Sequence, residues 1–93
     1  MCSESRYRLA DGVQVRREQF GLLFYDYRGP RLYFVPSKDL VEDHFFDGKR
    51  TTRELVESIC AEHDWPHRLV SGKVSEILAL LKAKGLIHEQ SVC

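Results

Sequence analysis

The segment Gly21–Pro36 constrains the fold of this 93-residue chain more than any other part of it. Two short apolar and aromatic runs flank Gly29-Pro30, and aromatic residues crowd both sides of that turn, as is typical of β-strands. Pro36 has no backbone N–H and ends the second run. The segment therefore predicts a β-hairpin. Because the chain after Pro36 shows helical patterns, the second strand of the hairpin is predicted to be a sheet edge.

The charge pattern of the hairpin predicts which of its faces is buried. A two-residue turn at Gly29-Pro30 would set Tyr27 opposite Leu32, and opposed residues share a face. The face without charge is predicted to be the inner one, and its residues are Leu23, Tyr25, Tyr27, Leu32 and Phe34. The outer face then carries Leu22, Phe24, Asp26, Tyr33 and Val35. A slip of one residue in register would exchange the two faces.

Three helices are predicted after the hairpin. Ser37 can cap the first helix, and Asp47-Gly48 stops it. Thr51 opens the second helix with a capping box, since the side chain of Glu54 can reach back to the Thr51 backbone N–H. Trp65-Pro66 breaks that helix. The third helix is predicted to begin between residues 67 and 71 and to end at Lys84-Gly85, with an apolar stripe of Val70, Val74, Ile77, Leu78 and Leu81.

The order of these elements predicts an α+β fold of winged-helix type. Val13–Arg17 alternates apolar and polar residues and supplies a first strand, so that a three-stranded antiparallel sheet precedes three helices. Residues 9–89 are predicted to form a single domain. Residues 1–8 are predicted to be a disordered or frayed N-terminus, and residues 90–93 a tail.

The composition argues against several classes of protein. The formal net charge is zero, from 14 basic and 14 acidic residues, whereas nucleic-acid-binding domains usually carry a basic excess. Three cysteines form no paired framework, and the N-terminal sequence lacks an apolar signal core, which together indicate a reducing, cytoplasmic setting. No apolar run approaches the length of a membrane span.

Neither a metal site nor a catalytic site is predicted. Cys60, His63 and His67 have spacings that suggest metal ligands, but Trp65-Pro66 interrupts the helix between them and no fourth ligand follows at the usual spacing. His44 has an acidic neighbour but no nearby nucleophile. We therefore predict a protein without cofactors that is not an enzyme.

Several landmarks together resemble one family. They are the hairpin runs Leu23–Tyr27 and Arg31–Val35, the helix start Pro36–Val41, the step from Asp47-Gly48 to Thr51-Thr52, and the helix end Lys84–Ile87. Over residues 9–89 these features are similar to the peptide chaperones of the pyrroloquinoline-quinone type, also called RiPP recognition elements. Within that group the sequence resembles the peptide chaperone of the mycofactocin system most.

The resemblance implies a function and a site. Such domains bind the leader segment of a ribosomally made precursor peptide as a further strand beside strand three, and deliver it to a radical SAM maturase without performing chemistry. In such domains the peptide lies in a groove, with strand three as one wall and the last helix as the other. The peptide-binding residues that this implies are Arg31, Leu32, Tyr33, Phe34, Val35, Lys73, Ile77, Leu80, Leu81 and Lys84. The cations among them would attract acidic residues of the leader.

Other interpretations compete with this one. The hairpin aromatics can equally be core residues, and Lys73 and Lys84 can be ordinary solvated lysines. A winged-helix DNA-binding protein is the alternative function, although the last helix offers Leu, Val and Ala where a recognition helix carries Arg, Asn and Gln. We therefore expect a precursor peptide and a maturase as partners, and neither nucleic acid nor membrane. An exposed strand edge also permits a homodimer.

Overall fold

Five strands, two α-helices and one 3₁₀ helix make up the part of the chain that the computed structural model describes, residues 5–29, 31–37 and 39–90. The elements in chain order are β1 (Arg6–Leu9), β2 (Val13–Glu18), β3 (Gly21–Asp26), β4 (Arg31–Val35), the 3₁₀ helix (Asp43–Phe46), α1 (Thr52–His63), α2 (His67–Ala83) and β5 (Ile87–Gln90). The fold is α+β, as predicted. Within the described ranges, neither α-helix combines the length and apolarity that crossing a lipid bilayer requires.

The prediction of one three-stranded sheet followed by three helices, the winged-helix arrangement, is wrong. The described strands form two antiparallel sheets, one of order β2-β3-β4 and one that pairs β1 with β5. β1 includes residues 6–8, which fell in the segment predicted to be frayed, and it is paired along its length from Arg6 with Gln90 to Leu9 with Ile87. Tyr7 and Ile87 are both buried in the core, and that burial favours the pairing of β1 with β5.

A turn and a 3₁₀ helix replace the first predicted α-helix. The backbone N–H of Val41 donates to the carbonyl oxygen of Ser37 at 3.2 Å, so the chain makes one turn there. Asp39 within it has a φ of 66°, in the left-handed region that a continuing α-helix excludes. Glu42 is then extended, and only the short 3₁₀ helix Asp43–Phe46 follows. The left-handed residue therefore limits this segment to short turns.

The other two helices form where they were predicted. Thr51 closes the capping box at the start of α1: its hydroxyl accepts from the Glu54 backbone N–H at 3.2 Å, and its own backbone N–H donates to Glu54 Oε1 at 2.9 Å. α1 ends at Asp64, which is left-handed with a φ of 55°. α2 begins at His67, and Gly85 follows its last turn with a φ of 73°.

The three-stranded sheet buries the face that was predicted to be exposed. Leu22, Phe24 and Val35 lie in the core, together with the carboxylate of Asp26. The register also differs by two residues from the predicted one, because Tyr25 pairs with Leu32 and a longer turn joins the strands. The charge on Asp26 did not force this face outward, since two arginines neutralise it at the end of the sheet.

A chain of aromatic rings joins the two sheets within the core. Phe24 of β3 meets Phe46 edge to face with ring centroids 5.6 Å apart, Phe46 meets Phe45 at 5.5 Å, and Phe45 reaches Tyr7 of β1 at 6.1 Å. α2 contributes its apolar stripe to the same core, with Val70, Val74, Leu78 and Leu81 buried. The aromatic residues of the 3₁₀ helix thus connect the two sheets through the core. β4 lies at the margin of this core.

Candidate functional site

β4 is the edge of the three-stranded sheet. The strand order β2-β3-β4 gives β4 a hydrogen-bonded neighbour on one side, and no described strand lies on its other side. The backbone N–H and C=O groups that point to that side are available to an added strand. β2 is the other edge of the same sheet, but it contacts β1 and the 3₁₀ helix. β4 is therefore the more open edge.

A cleft of about 370 Å³ lies between β4 and the C-terminal end of α2. Residues of β3, β4, the last turn of α2 and the segment after it line this cleft: Phe24, Asp26, Arg31, Leu32, Tyr33, Ala83, Lys84 and Leu86. Its walls are mixed, with apolar groups from the core margin and charged groups at the end of the sheet. A peptide that paired with β4 would place side chains into or across this cleft.

A cation–π contact joins the two sides of the cleft. Lys84 Nζ lies 4.6 Å from the centroid of the Tyr33 ring, a cation–π contact that joins α2 to β4. Among the described residues Lys84 has no carboxylate partner, whereas its neighbour Lys82 pairs with Glu89 at 2.6 Å. The ammonium group of Lys84 is thus positioned at the cleft and uncompensated there.

Asp26 organises the charged end of the cleft. Its Oδ1 accepts from the backbone N–H of Arg28 at 3.1 Å and from Arg28 Nε at 2.9 Å, and its Oδ2 accepts from Arg28 Nη2 at 3.1 Å and from Arg31 Nη2 at 2.8 Å. These bonds, those from Arg28 first, hold the pKa of the Asp26 carboxyl far below its usual range. Arg28 Nη2 also donates to the carbonyl oxygen of Gly85 at 2.9 Å, which joins the hairpin turn to the end of α2.

We expect Asp26→Asn to reduce the loss of stability in acid. A lowered pKa in the folded state stabilises the fold at pH values above the ordinary aspartate pKa of 3.8, and this contribution is lost as the pH falls through the folded-state pKa. The pKa values of Glu54 and Glu89 are lowered too, so the acid dependence should shrink without vanishing.

Urea unfolding of the wild type and the variant, each at about pH 7 and about pH 3, measures this effect. The variant should be less stable at the higher pH and should lose less stability on acidification. If the two proteins lose the same stability on acidification, Asp26 does not have the assigned role. Glu54→Gln is a comparison variant at the α1 cap, away from the cleft. It should also reduce the loss of stability in acid, because the pKa of Glu54 is lowered as well.

Four of the ten predicted site residues line the cleft: Arg31, Leu32, Tyr33 and Lys84. The structure places the others elsewhere. Val35 and Leu81 are buried core residues, Ile77 packs against the core, and Leu80 and Phe34 are exposed outside the lining. Lys73 lies in a shallow depression of α2 with Pro66, Arg68, Leu69, Gly72 and Glu76. The peptide-binding role of all ten stays a prediction.

Sequence reasoning missed four residues that line the cleft, namely Phe24, Asp26, Ala83 and Leu86. Phe24 and Asp26 were assigned to the outer face of the hairpin because that face carries a charge. The signal that could have corrected this is the arginine pair at positions 28 and 31, which flanks the turn close to Asp26. No sequence signal marks Ala83, since only the end of α2 brings it to the cleft.

The opposite face of the sheet presents apolar side chains to solvent. Tyr27 is 60% exposed, Leu32 63% and Phe34 44%. Tyr25 stacks on Tyr27 with ring centroids 6.1 Å apart, and the guanidinium carbon of Arg16 lies 5.7 Å from the Tyr25 ring. These are the residues predicted to face inward. An exposed apolar surface of this kind is typical of interaction sites.

The metal ligands considered from sequence do not assemble. In the ranges that the structure describes, no group of three His, Cys, Asp or Glu side chains could hold a metal ion. The imidazole of His63 instead stacks on the Trp65 ring, with centroids 4.2 Å apart. His63 therefore covers the indole where α1 ends.

Comparison with known proteins identifies the family. The model of the peptide chaperone MftB family matches residues 6–88, from the first strand to the last. Neither the curated proteins nor the solved structures contain a match. The matched range includes all of β4, the whole of α2 and the cleft between them. This chain belongs to the peptide chaperone MftB family, the peptide chaperones of the mycofactocin system.

Proposed function

We propose that this protein is a non-catalytic cytoplasmic chaperone that binds the leader segment of a ribosomally made precursor peptide. The leader is held as an added strand on β4, and the chaperone delivers it to a radical SAM maturase. The observation that supports this most is the position of β4, which is an edge strand beside a cleft. Family membership supports the peptide as ligand.

Backbone pairing alone would bind the leader weakly. β4 has five residues, Arg31–Val35, and a strand added to it gains a few hydrogen bonds at about 0.5–1.5 kcal/mol each. Ordering a flexible peptide opposes binding by roughly 2–5 kcal/mol. Burial of apolar area at about 25 cal/mol per Å² must therefore contribute. Leu32, which is 63% exposed, and the half-buried ring of Tyr33 offer that area beside the cleft.

Binding at the edge is compatible with delivery. An added strand lies in the plane of the sheet, so it leaves the exposed face with Tyr27 and Phe34 accessible to a second protein. The chaperone could then hold the leader and contact the maturase in the same assembly.

Titration calorimetry with the precursor peptide of the mycofactocin system tests the proposal. We expect micromolar or tighter binding of the full peptide, and none of a version that lacks the leader. The maturase should associate with the chaperone and modify the peptide faster in its presence, and the chaperone alone should convert nothing. Binding to duplex DNA with a steep salt dependence, together with no peptide binding, would overturn the proposal.

A further inference from the structure

We propose that the cleft beside β4 selects a peptide with an acidic side chain, and that Arg31 and Lys84 bind its carboxylate. This inference rests on the proposed function, since it requires a peptide paired with β4. It adds a chemical requirement for one residue of the leader. Three properties of the cleft support it: its charge, the direction of the side chains in β4, and hydrogen-bond donors that remain unused.

The cleft carries an excess of positive charge. Arg28 and Arg31 both bind the carboxylate of Asp26, whose side chain is only 2% exposed, and Asp11 also interacts electrostatically with Arg28. Lys84 adds a third cation, and no described carboxylate pairs with it. Asp26 already accepts four hydrogen bonds from the two arginines. The Asp26 carboxylate therefore has little remaining capacity to bind a cationic ligand. The surrounding cations favour an anionic ligand.

Arg31 has donors to spare. Its contact with Asp26 is made through Nη2 alone, and a guanidinium carries five N–H donors. The side chain is 68% exposed, so the remaining donors are accessible from the open side of the sheet. Asp26 fixes the position of the guanidinium, which lowers the entropy that is lost when a second carboxylate binds.

The alternation of β4 directs a peptide side chain toward these cations. Arg31 and Tyr33 are two residues apart and therefore share a face, the one that includes buried Val35. A peptide residue paired with this part of β4 on the same face would project into the cleft, where Lys84 lies over the Tyr33 ring. The ring holds the ammonium group near the edge while leaving its N–H donors unpaired among the described residues.

A carboxylate at that position would make charge-assisted hydrogen bonds to both cations. Such bonds are about twice as strong as neutral ones. We expect replacement of the acidic residue by its amide to weaken binding by roughly tenfold or more. An amide of the same shape keeps the backbone pairing, so this loss isolates the charge.

The experiment is a double-mutant cycle on peptide affinity. Each acidic residue of the leader is changed to its amide, and each peptide is titrated against the wild type, Lys84→Met and Arg31→Met. One amide peptide should lose about tenfold against the wild type and roughly twofold or less against Lys84→Met. Lys49→Met is the matched control, since Lys49 is an exposed lysine that does not line the cleft, and it should behave as the wild type. Urea unfolding confirms that each variant is folded.

Two results would overturn the inference while leaving the proposed function intact. In the first, every amide peptide binds the wild type as tightly as the parent peptide. In the second, the loss appears equally against Lys84→Met, Arg31→Met and the wild type. A peptide with an amidated C-terminus should bind like its parent, and a loss there would assign the carboxylate to the chain end and contradict the side-chain requirement. If the parent peptide itself fails to bind, the proposed function falls instead.

Discussion

Replacing Gly21 by alanine is expected to destabilise the fold by about 3 kcal/mol or more, near the upper end for a single substitution. Gly21 opens β3, where the strand passes close to the end of β4. A Cβ atom there would lie 1.9 Å from the carbonyl oxygen of Val35, 2.7 Å from the Ser37 nitrogen and 2.9 Å from the Pro36 Cα. All three are backbone atoms, so no side chain can rotate away to relieve the overlap. The two strands would have to separate.

Gly72→Ala is the matched control for this prediction. Gly72 lies within α2, and a Cβ there would meet nothing within 4 Å apart from its chain neighbours and the local helix backbone. Alanine in a helix interior is favoured over glycine by roughly 0.5–1 kcal/mol, so this variant should be slightly more stable than the wild type. Urea unfolding of the three proteins measures both changes. A Gly21→Ala protein with the stability of the wild type would show that β3 and β4 are not packed as described.

Local signals in the sequence predicted the elements that depend on neighbouring residues. The hairpin, the capping box at Thr51 and the end of α2 at Gly85 each depend on contacts within a few positions. β4 was predicted to be an edge because no strand was expected after it. A strand, β5, does follow, but it pairs with β1 in the other sheet, and β4 is still an edge.

Long-range contacts could not be predicted in this way. β1 and β5 pair residues as far apart as Arg6 and Gln90, and no local pattern encodes that choice of partner. The first helix failed because Asp39 is left-handed, a conformation that asparagine and aspartate adopt more readily than other non-glycine residues. The sequence of the segment that follows Pro36 did not distinguish a single turn from a helix.

The buried face of the hairpin shows why a charged residue is a weak guide to which face of a strand is exposed. Asp26 suggested a solvent-exposed face, but two arginines bind it and let the face that includes Phe24 pack into the core. The same error hid two of the eight residues that line the cleft, Phe24 and Asp26. Lys84 was predicted to line a peptide groove beside β4. The structure places its ammonium group 4.6 Å from the centroid of the Tyr33 ring, and its role in peptide binding stays a prediction.

Peptide binding is expected to protect the free edge of β4 from amide hydrogen exchange by about a hundredfold when free peptide is at a hundred times Kd. Along an antiparallel edge strand, alternate N–H groups point away from the neighbouring strand. In β4 these groups have no described strand to pair with, so they should exchange rapidly in the free protein. An added strand would accept hydrogen bonds from them, and exchange would then require release of the peptide.

The edge strand β2 provides the control within the same molecule. It lies at the opposite side of the sheet from β4, and its outward N–H groups should stay as fast after the peptide is added. Amides that already exchange slowly are not informative here, because any ligand that stabilises the fold slows them as well.

Amide hydrogen exchange followed by NMR, with and without the precursor peptide, is the most direct test that β4 binds the leader as an added strand. We expect the rapidly exchanging amides between residues 31 and 35 to slow by about a hundredfold while the rapidly exchanging amides of Val13–Glu18 do not change. Protection at β2, or unchanged fast exchange throughout β4 with the peptide bound, would contradict it.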